Sequence, residues 1–511
     1  MEETRKFISN NAIWLWVFIL LKFTIQYFLV HPDFDLHRDE YLHLDLAKHL
    51  AWGYTSVPPV TSWISYVIGL LGNGLFWVKF FPALFGALLM LTVWKITEAL
   101  NGSLYARILA ATAVTFSVIF RINTLYQPNS LEYLCWALLF YALIKYVNSG
   151  HQKWLWALAV VFALGFLNKY SIAFLALAMV PAMLLTEHRT LLVKKQFLLA
   201  VLLAILLISP NLYWQYQHGF PVFTHMKELQ RTQLVNVNRL DFLKDQLLFF
   251  FPAFFVLLAG IIALLINKAF STYRFILYAA IFTLALFTYF QAKSYYAIGL
   301  HPVFMAFGAV YLDRLLRQPW TIYVRAAALT LPPLLFFLTI RIVYPIDKPE
   351  TMVNNQALYK KYGMLRWEDG KDHHMPQDFA DMLGWKELAE KVDRVYAAIP
   401  EKENILVICD NYGLAGAINY YSKHKNMAAV SFNADYKYWF DLSKEITTVI
   451  TVKTDHNEDA ANEEEHNLFE HVTFKGKVEN PYAREHGTVI YLLEKPKMSI
   501  NTFIADNLDK K

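Results

Sequence analysis

Cysteine is nearly absent from this chain: there are two, Cys135 and Cys409, in 511 residues. The first lies in an apolar run and the second on an expected strand, so neither a disulfide framework nor a thiolate metal site is suggested. Charge is scarce as well. Asp, Glu, Lys and Arg make up 17% of the residues, against about 25% in an ordinary soluble protein. The formal net charge of +5 is too small to imply a nucleic-acid partner by itself. No small-residue cleavage pattern follows the first apolar run, so the polar residues 1–11 lead into a retained helix rather than a removable signal peptide. No internal repeat of the kind that marks an inverted-repeat transporter is visible.

Apolar residues are abundant, at 56% of the chain, and their placement matters more than their number. Runs long enough to cross a hydrocarbon core of roughly 30 Å fall at 12–30, 75–99, 104–120, 130–148, 153–168, 171–187, 194–210, 246–267, 273–290, 295–313 and 321–343, and then stop. The expected fold is mainly α, a polytopic bundle of about eleven transmembrane helices. The shorter apolar stretch 60–72 suits a helix lying in the membrane interface. With the N-terminus in the cytoplasm, the inside loops hold Arg5, Lys6, Lys95, Arg107, Lys145, Lys153, Arg189, Lys194, Lys195, Lys268, Arg274, Arg314 and Arg317, as the positive-inside bias requires. An odd number of spans then places the C-terminal region outside, on the same side as a first outer loop, 31–74, and a second, 211–245.

Residues 1–344 are therefore expected to form a transmembrane domain and residues 345–511 an extracytoplasmic α/β domain. Strand candidates in the latter are 404–410, 427–432, 446–452 and 488–494, with a short helix at 414–421. The acidic stretch 455–466 reads as a solvated loop.

Unusual polar residues collect on the outer side. The first loop runs His31-Pro-Asp-Phe-Asp-Leu-His-Arg-Asp-Glu-Tyr41, setting Asp39 and Glu40 at the mouth of the bundle. Partial desolvation there raises a carboxylate's pKa and makes it a useful base; the plainer reading is that both acids cap the helix that follows. Arg121, Tyr126, Gln127 and Glu132 map to the same side, as do Asn168-Lys169-Tyr170 and Gln291, Lys293, Tyr295 and Tyr296. Lysines near helix ends often only snorkel to the interface, yet Lys169 and Lys293 both fall outside, where the positive-inside bias expects few. Acids and bases converging on one membrane face suggest a site for an anionic, lipid-borne substrate. In the second loop His218 and His225 are spaced to share a helical face, a weak metal signal without a third ligand. The basic residues of that loop, Arg231 among them, equally suit anionic headgroups.

The sequence Arg38-Asp39-Glu40-Tyr41, followed by Gly53-Tyr54 and Pro58-Pro59, resembles the first-loop signature of the GT-C glycosyltransferases. It is similar to the bacterial branch related to dolichyl-phosphate-mannose protein mannosyltransferases and to the lipid A aminoarabinose transferase. The likeness continues through Gln127-Pro128-Asn129-Ser130-Leu131-Glu132, Asn168-Lys169-Tyr170, Pro210-Asn211-Leu212-Tyr213-Trp214, Lys293-Ser294-Tyr295-Tyr296 and His301-Pro302. It reaches the outer domain at Ala380-Asp381-Met382-Leu383-Gly384-Trp385 and at Asn411-Tyr412-Gly413-Leu414-Ala415-Gly416-Ala417. The resemblance implies an inner-membrane glycosyltransferase that moves a sugar, with inversion, from a polyprenyl-phosphate donor to a lipid, glycan or protein acceptor at the outer face. Asp39 is then the base, with Glu40 second. Lys169, Lys293, Tyr295, Tyr296, Arg231, Glu132 and Tyr54 are the donor and phosphate candidates, a divalent metal is an open option, and no nucleic acid takes part. Val57 stands where the lipid A enzyme has a basic residue before its paired prolines, which removes one expected phosphate contact. The rival readings are a flippase of lipid-linked sugars, which needs a polar pathway to both sides, and an inactive protein that presents its outer domain to a partner.

Overall fold

A computed structural model describes residues 2–400, 402, 404–454 and 463–510. Its Cα packing separates two compact units. One comprises Met1–Val30, Val57–Thr61 and Asn73–Ile346; the other comprises His31–Ser56, Ser62–Gly72 and Asp347–Lys511.

The first unit is helical because a backbone in hydrocarbon must satisfy its own N–H and C=O groups. Among the described residues, six helices are long and apolar enough to cross a membrane: Leu75–Ala99, Asn129–Ser149, Lys195–Gln217, Lys268–Tyr289, Ser294–Leu315 and Pro319–Val343. The pair Arg239–Leu248 and Phe251–Ile266, bent by 57° at its break, makes a seventh if counted as one span. Shorter apolar helices at Ile13–Tyr27, Leu104–Thr115, Lys153–Asn168 and Ile172–Leu184 coincide with the remaining expected runs. Burial sorts the long helices. The apolar window of Asn129–Ser149 is 72% buried and that of Ser294–Leu315 is 78% buried, whereas Lys195–Gln217 and Pro319–Val343 bury only 22% and 17%. The first pair is central; the second turns its leucines and phenylalanines outward. Hydroxyls inside the bundle are satisfied locally, as where Thr97 donates to the Val93 carbonyl and Thr283 to that of Ala279.

The helices Phe254–Ile266 and His301–Leu315 approach each other closely. A Cβ on Gly260 would lie 1.9 Å from the carbonyl oxygen of Phe304, and one on Gly308 would lie 1.9 Å from that of Val256. Backbone meets backbone there, and only a residue without a side chain fits.

The second unit is built on a five-stranded mixed sheet: β1 (Ile405–Cys409), β2 (Ala429–Ser431), β3 (Thr448–Lys453), β4 (Phe469–Lys477) and β5 (Val489–Pro496). The order is β2-β1-β3-β5-β4, with β1 parallel to β2 and β3, and β5 antiparallel to β3 and β4. The helix Tyr412–Tyr421 makes the β1–β2 crossover. Leu406, Val449, Tyr491 and Leu493 lie in one buried cluster with Ile500 and Ile504 of the C-terminal helix. The expected strands are present. β4 lies outside the strand candidates: as an edge strand it is largely exposed, so its sequence carries no apolar alternation. Of the acidic stretch, 455–462 lie outside the described residues, and Glu463–Leu468 is helical rather than loop.

Residues His31–Ser56 and Ser62–Gly72 of the first loop belong to this sheet unit. Its helix Arg38–Asp45 buries Tyr41, Leu42 and Leu44. The Tyr41 ring meets those of Trp385, Tyr420 and Tyr421 edge-on or tilted. The backbone is stitched in as well: Asp35 N–H donates to the Met382 carbonyl at 2.7 Å and Arg38 N–H to that of Asp381 at 3.0 Å. As the Cα packing divides it, the sheet unit is discontinuous in sequence, and Tyr41 packs on Trp385, Tyr420 and Tyr421, more than 300 positions away in the chain.

Candidate functional site

In the sheet unit, the helix Arg38–Asp45 starts with a capping box. His37 Nδ1 accepts from the Asp39 N–H at 3.2 Å, and Glu40 Oε2 accepts from the His37 N–H at 2.7 Å. Glu40 is fully buried, and its carboxylate holds the helix start. Asp39 is placed differently. Its side chain is 35% exposed, and its Oδ1 accepts from the Tyr412 hydroxyl at 2.7 Å. Arg38 Nε lies 3.8 Å from the same oxygen, and His37 Nδ1 lies 4.0 Å from the other. Burial pushes the Asp39 pKa up, but the charges of His37 and Arg38 and the Tyr412 hydrogen bond outweigh it and hold the carboxyl well below its usual range. The expected rise in pKa is thus reversed for Asp39: the group is a standing carboxylate, always ready to accept a proton and intrinsically a weak base.

Arg38 is itself fixed. Its Nη2 donates to the Tyr412 oxygen at 2.5 Å, and its guanidinium lies 4.8 Å from the Tyr412 ring centre. A Cβ on Gly413 would come within 2.4 Å of Arg38 Cγ, so glycine at that position lets the helix Tyr412–Tyr421 start against the arginine. Behind this group His37 Nε2 lies 3.7 Å from Asp381, which accepts from Arg484 at 3.1 and 3.2 Å. His43 is buried and its imidazole pushed down to about 4, which keeps it neutral. The Tyr54 hydroxyl accepts from the Ala51 N–H and donates to the His49 carbonyl, both at 3.0 Å, bracing its own loop.

In the helical unit a second constellation forms where the helix Lys153–Asn168 ends. Asn168 Nδ2 donates to the Pro128 carbonyl at 2.8 Å, tying that end to the start of Asn129–Ser149. Lys169 then donates to the buried Glu132 at 2.9 Å and to Asn129 at 2.8 Å, while Ser171 donates to the other Glu132 oxygen. The ammonium also sits 4.3 Å from the ring centre of Tyr296 and 5.2 Å from that of Tyr295. Tyr133 donates to the Tyr295 carbonyl at 2.7 Å, fixing that turn. The structure thus brings Glu132, Lys169, Tyr295 and Tyr296 together. The His225 imidazole is pushed down by burial and by the charge of Lys293.

Other expected site residues lie apart. Arg231 is exposed and pairs with Glu228 of its own helix at 3.2 Å. His218 stacks on Trp214 with ring centres 4.0 Å apart and hydrogen-bonds that residue's carbonyl. Among the described residues no group of three or more His, Cys, Asp or Glu is arranged to hold a metal ion. Arg38 and Tyr412 stand in the sequence motifs without a role of their own. Their signal was positional: Tyr412 opens a helix just past the carboxyl end of a parallel strand, where α/β folds place functional groups.

The family model for dolichyl-phosphate-mannose-protein mannosyltransferases matches residues 56–214. The lipid A galacturonosyltransferase RgtD of Rhizobium johnstonii is 24% identical over 233 residues, 44% of this chain and 46% of that protein, so the match spans about half of the relative's length. The crystal structure of ArnT from Cupriavidus metallidurans bound to undecaprenyl phosphate superposes with a TM-score of 0.63 at 14% identity, covering 94% of this chain and 98% of that one. Its apo state gives 0.60 at 13% identity, over 95% and 98% of the two chains.

Proposed function

We propose that this chain, a multi-pass membrane protein of the GT-C fold related to the mannosyltransferase-like bacterial branch of the GT-C glycosyltransferases, transfers a sugar from a polyprenyl-phosphate donor to an acceptor at the outer face of the membrane. The observation that carries this reading is the pinned, partly exposed carboxylate of Asp39 in a chain whose fold matches a protein solved with undecaprenyl phosphate. In the proposed step the acceptor oxygen or nitrogen forms its bond to the anomeric carbon as the carbon–oxygen bond to phosphate breaks. The acceptor proton passes to Asp39, and the electron pair leaves with the polyprenyl phosphate. One displacement inverts the anomeric centre. Phosphate departs without help from an acid, so the reaction needs only a proton acceptor and cations. Lys169, held by Glu132 and Asn129, is the first phosphate candidate, and Lys293 the second. A lipid of the lipid A type is the first acceptor class to test, by the name of the galacturonosyltransferase relative. No step is routed through a metal. The N-terminus is assigned to the cytoplasm and 345–511 to the far side of an inner membrane, on the distribution of basic residues.

The test uses purified wild-type protein and Asp39→Asn with a panel of labelled undecaprenyl-phosphate sugars and a membrane extract as acceptor source. Release of polyprenyl phosphate by the wild type, absent in an equally folded variant, supports the reaction and the base together. Movement of an intact lipid-linked sugar across liposomes without release would replace the enzyme with a flippase.

A further inference from the structure

The Tyr412 oxygen is the meeting point of Arg38 and Asp39. It accepts from Arg38 Nη2 at 2.5 Å, and its hydroxyl is 2.7 Å from Asp39 Oδ1. Guanidinium has donors and no acceptor, so the phenol cannot give its proton to Arg38; the proton points to Asp39. The direction of the relay is therefore decided by chemistry alone. The phenol is polarised by the cation on one side and donates to the carboxylate on the other, and such charge-assisted bonds are stronger than neutral ones. Tyr412 is in turn held by the ring stacking under Arg38 and by the helix start at Asn411, whose side chain accepts from the N–H groups of Gly413 and Leu414. Its place in the chain lies 373 residues from Asp39.

We propose that Tyr412 is a positioning residue for transfer, orienting the Asp39 carboxylate toward the acceptor, so that the C-terminal segment supplies part of the reaction machinery. This rests on the reading of Asp39 as the base. A carboxylate on a short side chain can rotate about χ1 and χ2, and every misdirected rotamer is lost to proton transfer. A strong donor to one oxygen restrains the plane in which the other oxygen lies. The effect belongs to the chemical step and not to donor binding, which sets the prediction.

The experiment compares Tyr412→Phe, Asp39→Asn and the double variant with wild type, using the full chain and an undecaprenyl-phosphate sugar that the wild type turns over. Phenylalanine keeps the ring over Arg38 and removes only the hydroxyl. The expected result is a kcat lower by roughly 10- to 100-fold, the scale of one hydrogen bond to a charged group, with the donor KM within about twofold of wild type. Donor-binding stoichiometry should be unchanged, and the melting temperature should fall by no more than the loss of the hydroxyl's two hydrogen bonds explains. Because the hydroxyl acts through Asp39, the double variant should be no slower than Asp39→Asn alone. A Tyr412→Phe protein with wild-type kcat, alongside an inactive Asp39→Asn, overturns the positioning role and leaves the base reading standing. A variant that melted early and lost donor binding with its activity would make Tyr412 structural and overturn it too. Activity surviving in Asp39→Asn would instead remove the base reading itself.

Discussion

Two neighbouring acids of the first loop have separate tasks, and single substitutions should separate them. Glu40 caps a helix by accepting from the His37 N–H. A glutamine at that third position can still accept, so Glu40→Gln should keep both fold and turnover. Glu40→Ala should cost about 1 kcal/mol in denaturant melts, the usual value of a lost cap. Lys169 poses a harder problem, since it serves the fold and is proposed to serve the donor. Lys169→Met strands Glu132, a fully buried carboxylate, without its cation, and losing one partner of a buried pair costs about 3–5 kcal/mol. Lost activity in that variant alone would say nothing of phosphate binding. Adding Glu132→Gln removes the stranded charge while keeping an acceptor for Ser171. The double variant should recover its melting temperature in detergent yet remain slow in donor release; recovery of both would make Lys169 purely structural. These roles were only partly visible in the sequence. Motif spacing marked Asp39, Glu132 and Lys169, but whether an acid caps a helix or faces solvent depends on one or two hydrogen bonds that no spacing encodes.

Among elements, the contact of Phe254–Ile266 with His301–Leu315 is the least forgiving. The atom 1.9 Å from a Cβ at Gly260 is a backbone oxygen, and it cannot rotate away. Gly260→Ala should lower stability by 1–3 kcal/mol or more, seen as a lower melting temperature in detergent. Gly69→Ala, with nothing within 4 Å of the new methyl, serves as the control that should not. A second element is the turn at Ala434–Tyr438, where Asp435 is buried, accepts from the Thr55 N–H at 2.7 Å, and has its carboxyl pushed up by burial to about 6. An acid with a raised folded pKa binds more protons folded than unfolded. Its contribution is therefore fully present below the ordinary aspartate value and is lost as pH rises through about 6. The stability of wild type relative to Asp435→Asn should fall between about pH 4 and pH 6, by an amount on the order of 2–3 kcal/mol. Denaturant melts of both proteins across that range measure the difference; parallel curves would mean that Asp435 does not titrate there. The helices and buried strands were legible because their apolar periods are long and undiluted. β4 was not, because an exposed edge strand has no buried face to write a pattern.

For the whole molecule, the two regimes of composition announce a helical bundle followed by a sheet domain, and both are present. What composition cannot announce is that the sheet unit is discontinuous in sequence. Tyr41 and Leu46 have no exposed surface, and Leu42 and Leu44 have almost none. Burying each such side chain fully is worth roughly 1.5–3 kcal/mol, so together they match a large part of the 5–15 kcal/mol that holds a typical domain. Polar ties add to them. Asp35 accepts from the Trp385 N–H at 3.1 Å and pairs with Lys386 at 3.0 Å, and Asp45 accepts from Asn419 at 2.6 Å and from Tyr436 at 2.8 Å. A fragment of residues 347–511 would expose the aromatic face around Trp385, Tyr420 and Tyr421 and leave Asn419 and Tyr436 without the Asp45 carboxylate. It should therefore bind a hydrophobic dye and melt broadly. Adding a peptide of residues 31–56 should restore a cooperative melt and suppress the dye signal. If the isolated fragment melted as sharply as the sheet unit of the intact chain, the first loop would be an accessory to a self-sufficient domain. If only the peptide restores it, the loop that carries Asp39 is an integral part of that fold, and the position of the proposed base is set by the same contacts that keep the unit folded.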